Sequence, residues 1–272
     1  MNISASSARS RAGAAAALVA AAGLVLAACG GSSPGSTSAG SNTTGPATSS
    51  SSTPASSNSS SSTSSASTTS SLSVPFPIGV GNTWVYKASV GLTGSSGTIT
   101  DKMTAVTPVS GGQQVTMHTV NDVTGSPITN SAIYIFHSDG SISYPVQQFG
   151  SSTTSVTGAS VFWPPASEMA SGQAYHSTLH IGIAEDGKTE NVAAHITVQG
   201  DGSGSVTVPA GTYSATIVNM AMTFAIEGYQ SSIVVKTWLA NGIGPVQSEA
   251  FITELGATHM VSEQKLVSFT KG

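Results

Sequence analysis

Cys29 carries the most reactive side chain in this sequence of 272 residues, and it is the only cysteine. Small residues precede it in the segment Leu26-Ala27-Ala28, at the end of an apolar run that follows Arg9 and Arg11. Cations before a short apolar stretch that ends in small residues are typical of a cleaved export signal. A lone thiol in an exported chain has no intramolecular disulfide partner, so modification is its expected chemistry.

The segment Leu26-Ala27-Ala28-Cys29, followed by Gly30, resembles the lipobox of bacterial lipoproteins. The resemblance implies a lipoprotein signal peptide over residues 1–28, cleavage before Cys29, and a lipidated N-terminus at Cys29. Because each buried methylene contributes about 0.8 kcal/mol of membrane affinity, two or three acyl chains would anchor the protein on the extracytoplasmic face of the cell membrane. The alternatives are a plain cleaved signal with a stray cysteine and a transmembrane anchor, for which the apolar run is too short.

Histidines are the candidate metal ligands. His176 and His180 share one face of a predicted strand, but residues four apart on a strand lie about 13 Å apart and cannot grip one ion together. His195, after a turn at residues 186–187, could pair opposite one of them, with Glu185 or Glu190 nearby. Histidines without a special role explain the pattern better, so we expect no metal and no cofactor.

Serine-based catalytic motifs are weak. No G-x-S-x-G nucleophile elbow occurs. Residues 262–265 and 268–271 match S-x-x-K, the pattern of penicillin-recognising enzymes, but both lie in the last predicted strand and lack companion motifs. Coincidence explains such short matches in a serine-rich chain. We therefore expect a protein that is not an enzyme.

Composition divides the rest of the chain at residue 73. Residues 30–73 are almost wholly Ser and Thr with scattered small residues, and such a segment cannot bury enough apolar surface to fold. We predict a disordered tether over residues 29–73, about 35–40 Å long on average, and one β-rich domain over residues 74–272. Both arginines lie in the signal, which leaves 6 Lys against 12 acids, so nucleic acid is excluded as a partner.

Ten segments of the predicted domain alternate apolar and polar residues and are rich in Val, Ile, Thr, Tyr and Phe. This pattern predicts antiparallel strands in a sandwich, a barrel or a curled open sheet. Asp-Gly pairs at 139–140 and 186–187 predict hairpin turns, and residues 164–169 could form one helical turn. The predicted strands are 83–90, 97–106, 113–120, 132–137, 174–183, 192–198, 215–226, 232–239, 245–252 and 259–269.

A weak internal similarity suggests two similar halves. Gly81-Asn82-Thr83-Trp84 and Gly172-Gln173-Ala174-Tyr175 each open an alternating strand after a proline-bearing apolar stretch. Later in each half, a strand with an aromatic residue enters a glycine turn. Duplication would give a pseudo-symmetric β structure, while chance similarity between hairpins is the alternative.

Three motifs resemble those of many uncharacterised bacterial envelope lipoproteins. Residues 76–86 resemble their P-x-x-x-G-x-x-W-x-Y opening, residues 206–213 their V-P-A-G-T-aromatic turn, and residues 237–246 their W-x-A-x-G-x-G-x-V strand-turn-strand. The resemblance implies an all-β, mostly antiparallel fold of about ten strands, a curled open sheet or unclosed β-barrel like that of lipoprotein carriers. It implies no established activity. Physically, we expect Trp84, Tyr86 and Trp238 to anchor the core.

Two functional hypotheses follow. The first is a membrane-anchored binding module for an apolar or amphiphilic ligand such as a lipid, because the side chains of Met103, Met117, Met220 and Met222 suit irregular cavities. The second is a structural or interaction protein of the cell envelope that binds protein or polysaccharide and holds no small molecule. The sequence assigns no ligand-binding residue in either case.

Overall fold

Alternating residues form strands throughout the computed structural model, which describes residues 76–91, 93–146, 154–185, 188–226, 229–254 and 256–272. The predicted signal peptide, Cys29, the predicted tether and the predicted turn at 186–187 lie outside the described residues. Within them the chain is all-β, with one short helix. No helix in the described ranges is long and apolar enough to cross a membrane.

The described ranges contain thirteen strands, all paired antiparallel, and the helix α1. The strands are β1 (Thr83–Val90), β2 (Ser96–Val109), β3 (Gly112–Asn121), β4 (Ile128–His137), β5 (Ile142–Tyr144), β6 (Thr154–Gly158), β7 (Val161–Trp163), β8 (Ala174–Glu185), β9 (Lys188–Val208), β10 (Gly211–Ile226), β11 (Tyr229–Ala240), β12 (Gly244–Glu254) and β13 (Ala257–Thr270). Helix α1 (Ala166–Met169) lies between β7 and β8.

The strands form one sheet in the order β6-β8-β9-β10-β11-β12-β13-β1-β2-β3-β4-β5-β7. Two meanders, β1–β5 and β8–β13, therefore meet where the first strand pairs with the last. The two edge strands, β6 and β7, are connected by Ala159 and Ser160 alone, which span about 11 Å at most. A flat sheet of this width would separate its edges by about 55–60 Å, so the sheet must curl. The prediction of a mostly antiparallel, curled open sheet is confirmed.

The junction of the two meanders is fixed by aromatic side chains of β1. Trp84 pairs with Phe269 across the strands, and the two rings stack with their centroids 5.0 Å apart. The indole Nε1–H of Trp84 donates to the carbonyl oxygen of Ile243 at 2.6 Å, and the hydroxyl of Tyr86 donates to the carbonyl oxygen of Pro245 at 3.1 Å. Trp84 and Tyr86 are buried, so the prediction that they anchor the core is confirmed.

Several local predictions are also confirmed. Strand β1 has the predicted bounds, β4 and β5 flank the Asp139-Gly140 turn, and α1 supplies the predicted helical turn. The openers at Gly81 and Gly172 each precede the first strand of a meander, β1 and β8. Duplication of the two halves stays a prediction.

The strand count differs from the prediction, and Trp238 packs against the core but is less buried than Trp84 and Tyr86. Strands β5, β6 and β7 were missed because segments of three to five residues are too short to show alternation. Strand β9 continues through the glycine-rich stretch at 200–204, and a side chain at Gly200 would overlap the carbonyl oxygen of Met169 in α1. Trp238 is half-buried, with the Lys236 ammonium 5.4 Å from its ring, because Thr237 and Leu239 occupy the buried face of β11.

We predict that Trp84→Phe lowers the free energy of unfolding by about 2 kcal/mol, because the carbonyl of Ile243 loses its buried donor. Trp238→Phe is the matched control and should cost less than about 1 kcal/mol, since this ring is partly exposed. Urea unfolding followed by far-UV circular dichroism measures both. Equal losses in the two variants would contradict the anchoring role of Trp84.

Candidate functional site

The three motif segments meet at the junction of β1 and β13. Trp84 and Tyr86 of the first motif bind carbonyl groups of the third, as described above. Gly244 of the third motif has a φ of +93°, and a Cβ there would lie 2.9 Å from the ring of Phe76. Only glycine accepts both the positive φ and the close ring without strain. These motif residues therefore fasten the two meanders together.

The second motif docks on the same junction. The backbone N–H of Ala210 donates to the carbonyl oxygen of Leu266 in β13 at 3.0 Å. The hydroxyl of Tyr213 donates to the carbonyl oxygen of Ala210 at 3.1 Å. Pro209 and Ala210 form the turn between β9 and β10, as the sequence predicted. All three motifs thus have a structural explanation.

A buried carboxyl group faces the aromatic cluster at this junction. Asp101 lies opposite Trp84 in the register of β1 and β2, and its Oδ1 accepts a hydrogen bond from the hydroxyl of Thr119 at 2.6 Å. Burial raises the pKa of Asp101 to about 6, although the Thr119 hydrogen bond acts in the opposite direction. A cavity of about 20 Å³ adjoins the carboxyl group, which is room for one water molecule. The rings around it belong to Phe76, Trp84, Tyr86, Tyr134, Phe136 and Tyr144.

Asp101 is not among the candidate residues predicted from the sequence. A signal was present, because Ile99, Asp101 and Met103 share one face of an alternating strand. Ile99 and Met103 are buried with Asp101. The alternation of the strand therefore places Asp101 on the buried face. The polar neighbours Thr100 and Lys102 obscured this pattern in the sequence.

The register separates the three candidate histidines. Thr178 lies opposite His195 in the pairing of β8 with β9, and Ala193 lies opposite His180. His195 Nδ1 lies 3.2 Å from the Thr178 hydroxyl, and His176 Nδ1 lies 3.1 Å from the Thr197 hydroxyl. In the described part of the chain, no group of three or more His, Cys, Asp or Glu residues is placed to hold a metal ion.

The S-x-x-K segments do not assemble a serine–lysine pair. Both lie at the end of the chain, Ser262, Lys265 and Ser268 within β13 and Lys271 just after it. Residues three apart on a strand point to opposite faces, and the ammonium of Lys265 forms an ion pair with Glu263 at 2.7 Å. The hydroxyl of Ser262 thus lacks the lysine neighbour that the catalytic pattern requires.

An open groove of about 720 Å³ lies beside His195, where β9, β10, β11 and β12 run side by side. Its polar lining comes from residues that the register places next to one another across the strands. Ala193 and Ala225 contribute small side chains, and Phe224 lies beside the groove with its side chain in the core. The remaining lining residues are His195, Thr223, Gln230, Ser231, Ser232, Thr253 and Gly256.

Comparison with known proteins identifies relatives of this fold. The DUF3108-like family model matches residues 81–254. A "putative exported protein with YmcC-like fold" from Bacteroides fragilis superposes with a TM-score of 0.52 at 18% identity, covering 73% of this chain and 100% of that one. A "putative lipoprotein" from Parabacteroides distasonis superposes with a TM-score of 0.53 at 15% identity, covering 73% and 99%. No curated protein sequence matches the chain.

We predict that the free energy of unfolding falls as the pH rises from about 4 to about 7. The folded state holds the Asp101 proton more tightly than the unfolded chain does, so the contribution is largest below pH 4 and is lost as the pH passes 6. A shift of this size corresponds to roughly 3 kcal/mol. Asp101→Asn should remove the decrease, and Asp122→Asn, in the loop after β3, should retain it. Urea unfolding between pH 4 and 8 measures this, and an identical decrease in Asp101→Asn would contradict the assignment.

Proposed function

The chain belongs to the DUF3108-like family, and we propose that it is an exported, lipid-anchored protein of the cell envelope whose outer sheet face binds envelope components. In this proposal the domain has no catalytic role and carries no apolar ligand. The tether allows it to work within reach of the membrane that holds it.

Residues 9–29 support the proposed export and membrane anchoring. They combine two cations, an apolar run and Cys29 at a lipobox-like boundary, and acylation of Cys29 would hold the protein on the extracytoplasmic face of the membrane. Residues 30–73 would act as a spacer between the lipid and the domain. Two proteins that share the fold are named as a "putative exported protein" and a "putative lipoprotein", which agrees with this proposed location.

The observation that carries the proposed role is that, among the described residues, the chain's own side chains fill the buried face of the sheet. Residues from both meanders, including Met103, Val115, Val218 and Leu266, have 0% exposure. The cavity in the aromatic cluster accommodates no more than a water molecule. In the described part of the chain, packing of this kind around these residues leaves no room for a lipid chain. Binding is therefore expected on the outer face.

The methionines bear on the alternative of an apolar or amphiphilic ligand. Met103, Met117, Met220 and Met222 are all buried in the core cluster. In these positions their side chains pack against strands of the same domain, so they support the folded core in place of a ligand cavity. Lipid binding remains an outcome that the experiment below can detect.

We predict that the protein purified natively from membranes begins at Cys29, carries two or three covalent acyl chains and holds no further lipid. Intact mass spectrometry, first under native and then under denaturing conditions, measures both properties in one sample. The denatured mass reports the covalent chains, and the native mass adds any bound ligand.

Cys29→Ser is the matched control for this experiment. It should lack the acyl mass and should leave the membrane fraction, because no lipid then anchors the chain. An unmodified Cys29 or an uncleaved leader in the wild-type protein would contradict the anchor. A stoichiometric lipid that dissociates on denaturation would contradict the filled interior and would favour the carrier alternative.

A further inference from the structure

A row of hydrogen-bonding side chains crosses the groove from strand to strand. The register pairs each member with the next across β8 to β13, and the six members are Thr178, His195, Thr223, Ser232, Thr253 and Thr258. We call these six residues the hydroxyl row, since all but His195 carry a hydroxyl group. Neighbouring strands are about 4.8 Å apart, so the row is about 24 Å long. All six side chains are exposed or half-exposed. The row therefore presents regularly spaced polar groups to solvent.

Side chains at both ends of the hydroxyl row form hydrogen bonds with one another, whereas those in its middle form none within the described ranges. Thr178 contacts His195 at 3.2 Å, and the hydroxyls of Thr253 and Thr258 are 2.8 Å apart. Within the described ranges, no side-chain hydrogen bond engages the hydroxyls of Thr223 and Ser232, which lie inside the groove. Each of these hydroxyls can donate one hydrogen bond and accept two.

The lining of the groove selects against charged ligands. None of the ten described residues that line the groove is Asp, Glu, Lys or Arg. A polyanion or an acidic peptide would find no cation to pair with, and the overall charge of the chain is negative. A neutral ligand that exchanges many hydrogen bonds with hydroxyl and amide groups fits this surface.

The pairing of the strands also disfavours an extended peptide. At His195, Thr223, Ser232 and Thr253 the strands β9 to β12 are paired on both sides, so their backbone N–H and C=O groups are already engaged along the row. A peptide strand gains its affinity at a sheet edge, where such groups are free. The groove offers side chains alone, and small residues at Ala193 and Ala225 leave the space beside them open.

We propose that this groove binds a neutral polysaccharide along the hydroxyl row, with Thr223 and Ser232 at the centre of the site. The inference rests on the proposed function and names the class of ligand that the outer face of the sheet would bind. Sugar hydroxyls can both donate to and accept from the hydroxyls of Thr223 and Ser232.

Affinity electrophoresis tests the proposal. The purified full chain is run in detergent through native gels that contain dextran, galactomannan, arabinogalactan or xylan as neutral probes, and alginate as an anionic probe. At least one neutral polysaccharide should retard the protein in a concentration-dependent manner, and alginate should not. The double variant Thr223→Val/Ser232→Ala should weaken retardation about tenfold, which corresponds to about 1.4 kcal/mol of binding free energy.

Two further variants keep the result interpretable. Thr207→Val/Thr212→Val removes a matched pair of exposed hydroxyls, 3.0 Å apart, on the same two-strand ladder of β9 and β10 outside the groove, and it should bind like the wild type. Ala225→Trp fills the groove from an exposed position and should abolish retardation. Circular dichroism confirms that each variant is folded.

The proposal is overturned if no neutral polysaccharide retards the protein, if alginate alone does, or if both groove variants bind as well as the wild type. The mass measurement on natively purified protein separates this failure from that of the proposed function. A protein that is acylated at Cys29 and free of other lipid, yet indifferent to neutral polysaccharides, would retain the proposed function and lose this ligand class.

Discussion

The pairing of β1 with β13 is the constraint on which the rest of the structure depends. It joins residues 83–90 to residues 262–270, so it closes almost all of the described chain into one loop, and closing so long a loop costs entropy. The stacked rings of Trp84 and Phe269, and the hydrogen bond from Trp84 to the turn after β11, offset that cost in a buried setting. Asn82 adds to the junction by accepting a hydrogen bond from the backbone N–H of Gly272 at 3.0 Å.

Closure at this junction determines which surfaces remain for function. With the meanders joined, the sheet is curled, and two residues of the chain connect its edge strands β6 and β7. Its apolar face forms the interior. The aromatic side chains of Trp84 and Tyr86 hold the junction, as the sequence predicted. The outer face of β9 to β12 contains the groove, whose described lining is uncharged.

The sequence predicted the long strands well because their alternation runs over eight residues or more, as at Thr83–Val90. It also predicted the turn chemistry at Asp139 and Gly140. Gly200 was misleading, since a glycine required by the close approach of α1 resembles a turn residue. The groove could not be predicted, because His195, Thr223, Ser232 and Thr253 become neighbours only through the register of four strands. Cys29 is the opposite case, since its assignment rests on local sequence alone.

Hydrogen exchange of the purified protein, resolved by peptide, tests most directly whether the β1–β13 pairing holds the two meanders together. If this pairing holds the meanders together, the junction opens only when the whole sheet unfolds. We then expect amides of β1 and β13 to exchange as slowly as those at the centre of each meander. Fast exchange of β1 and β13, with protection retained inside β2–β4 and β9–β11, would show two independently stable meanders and would contradict it.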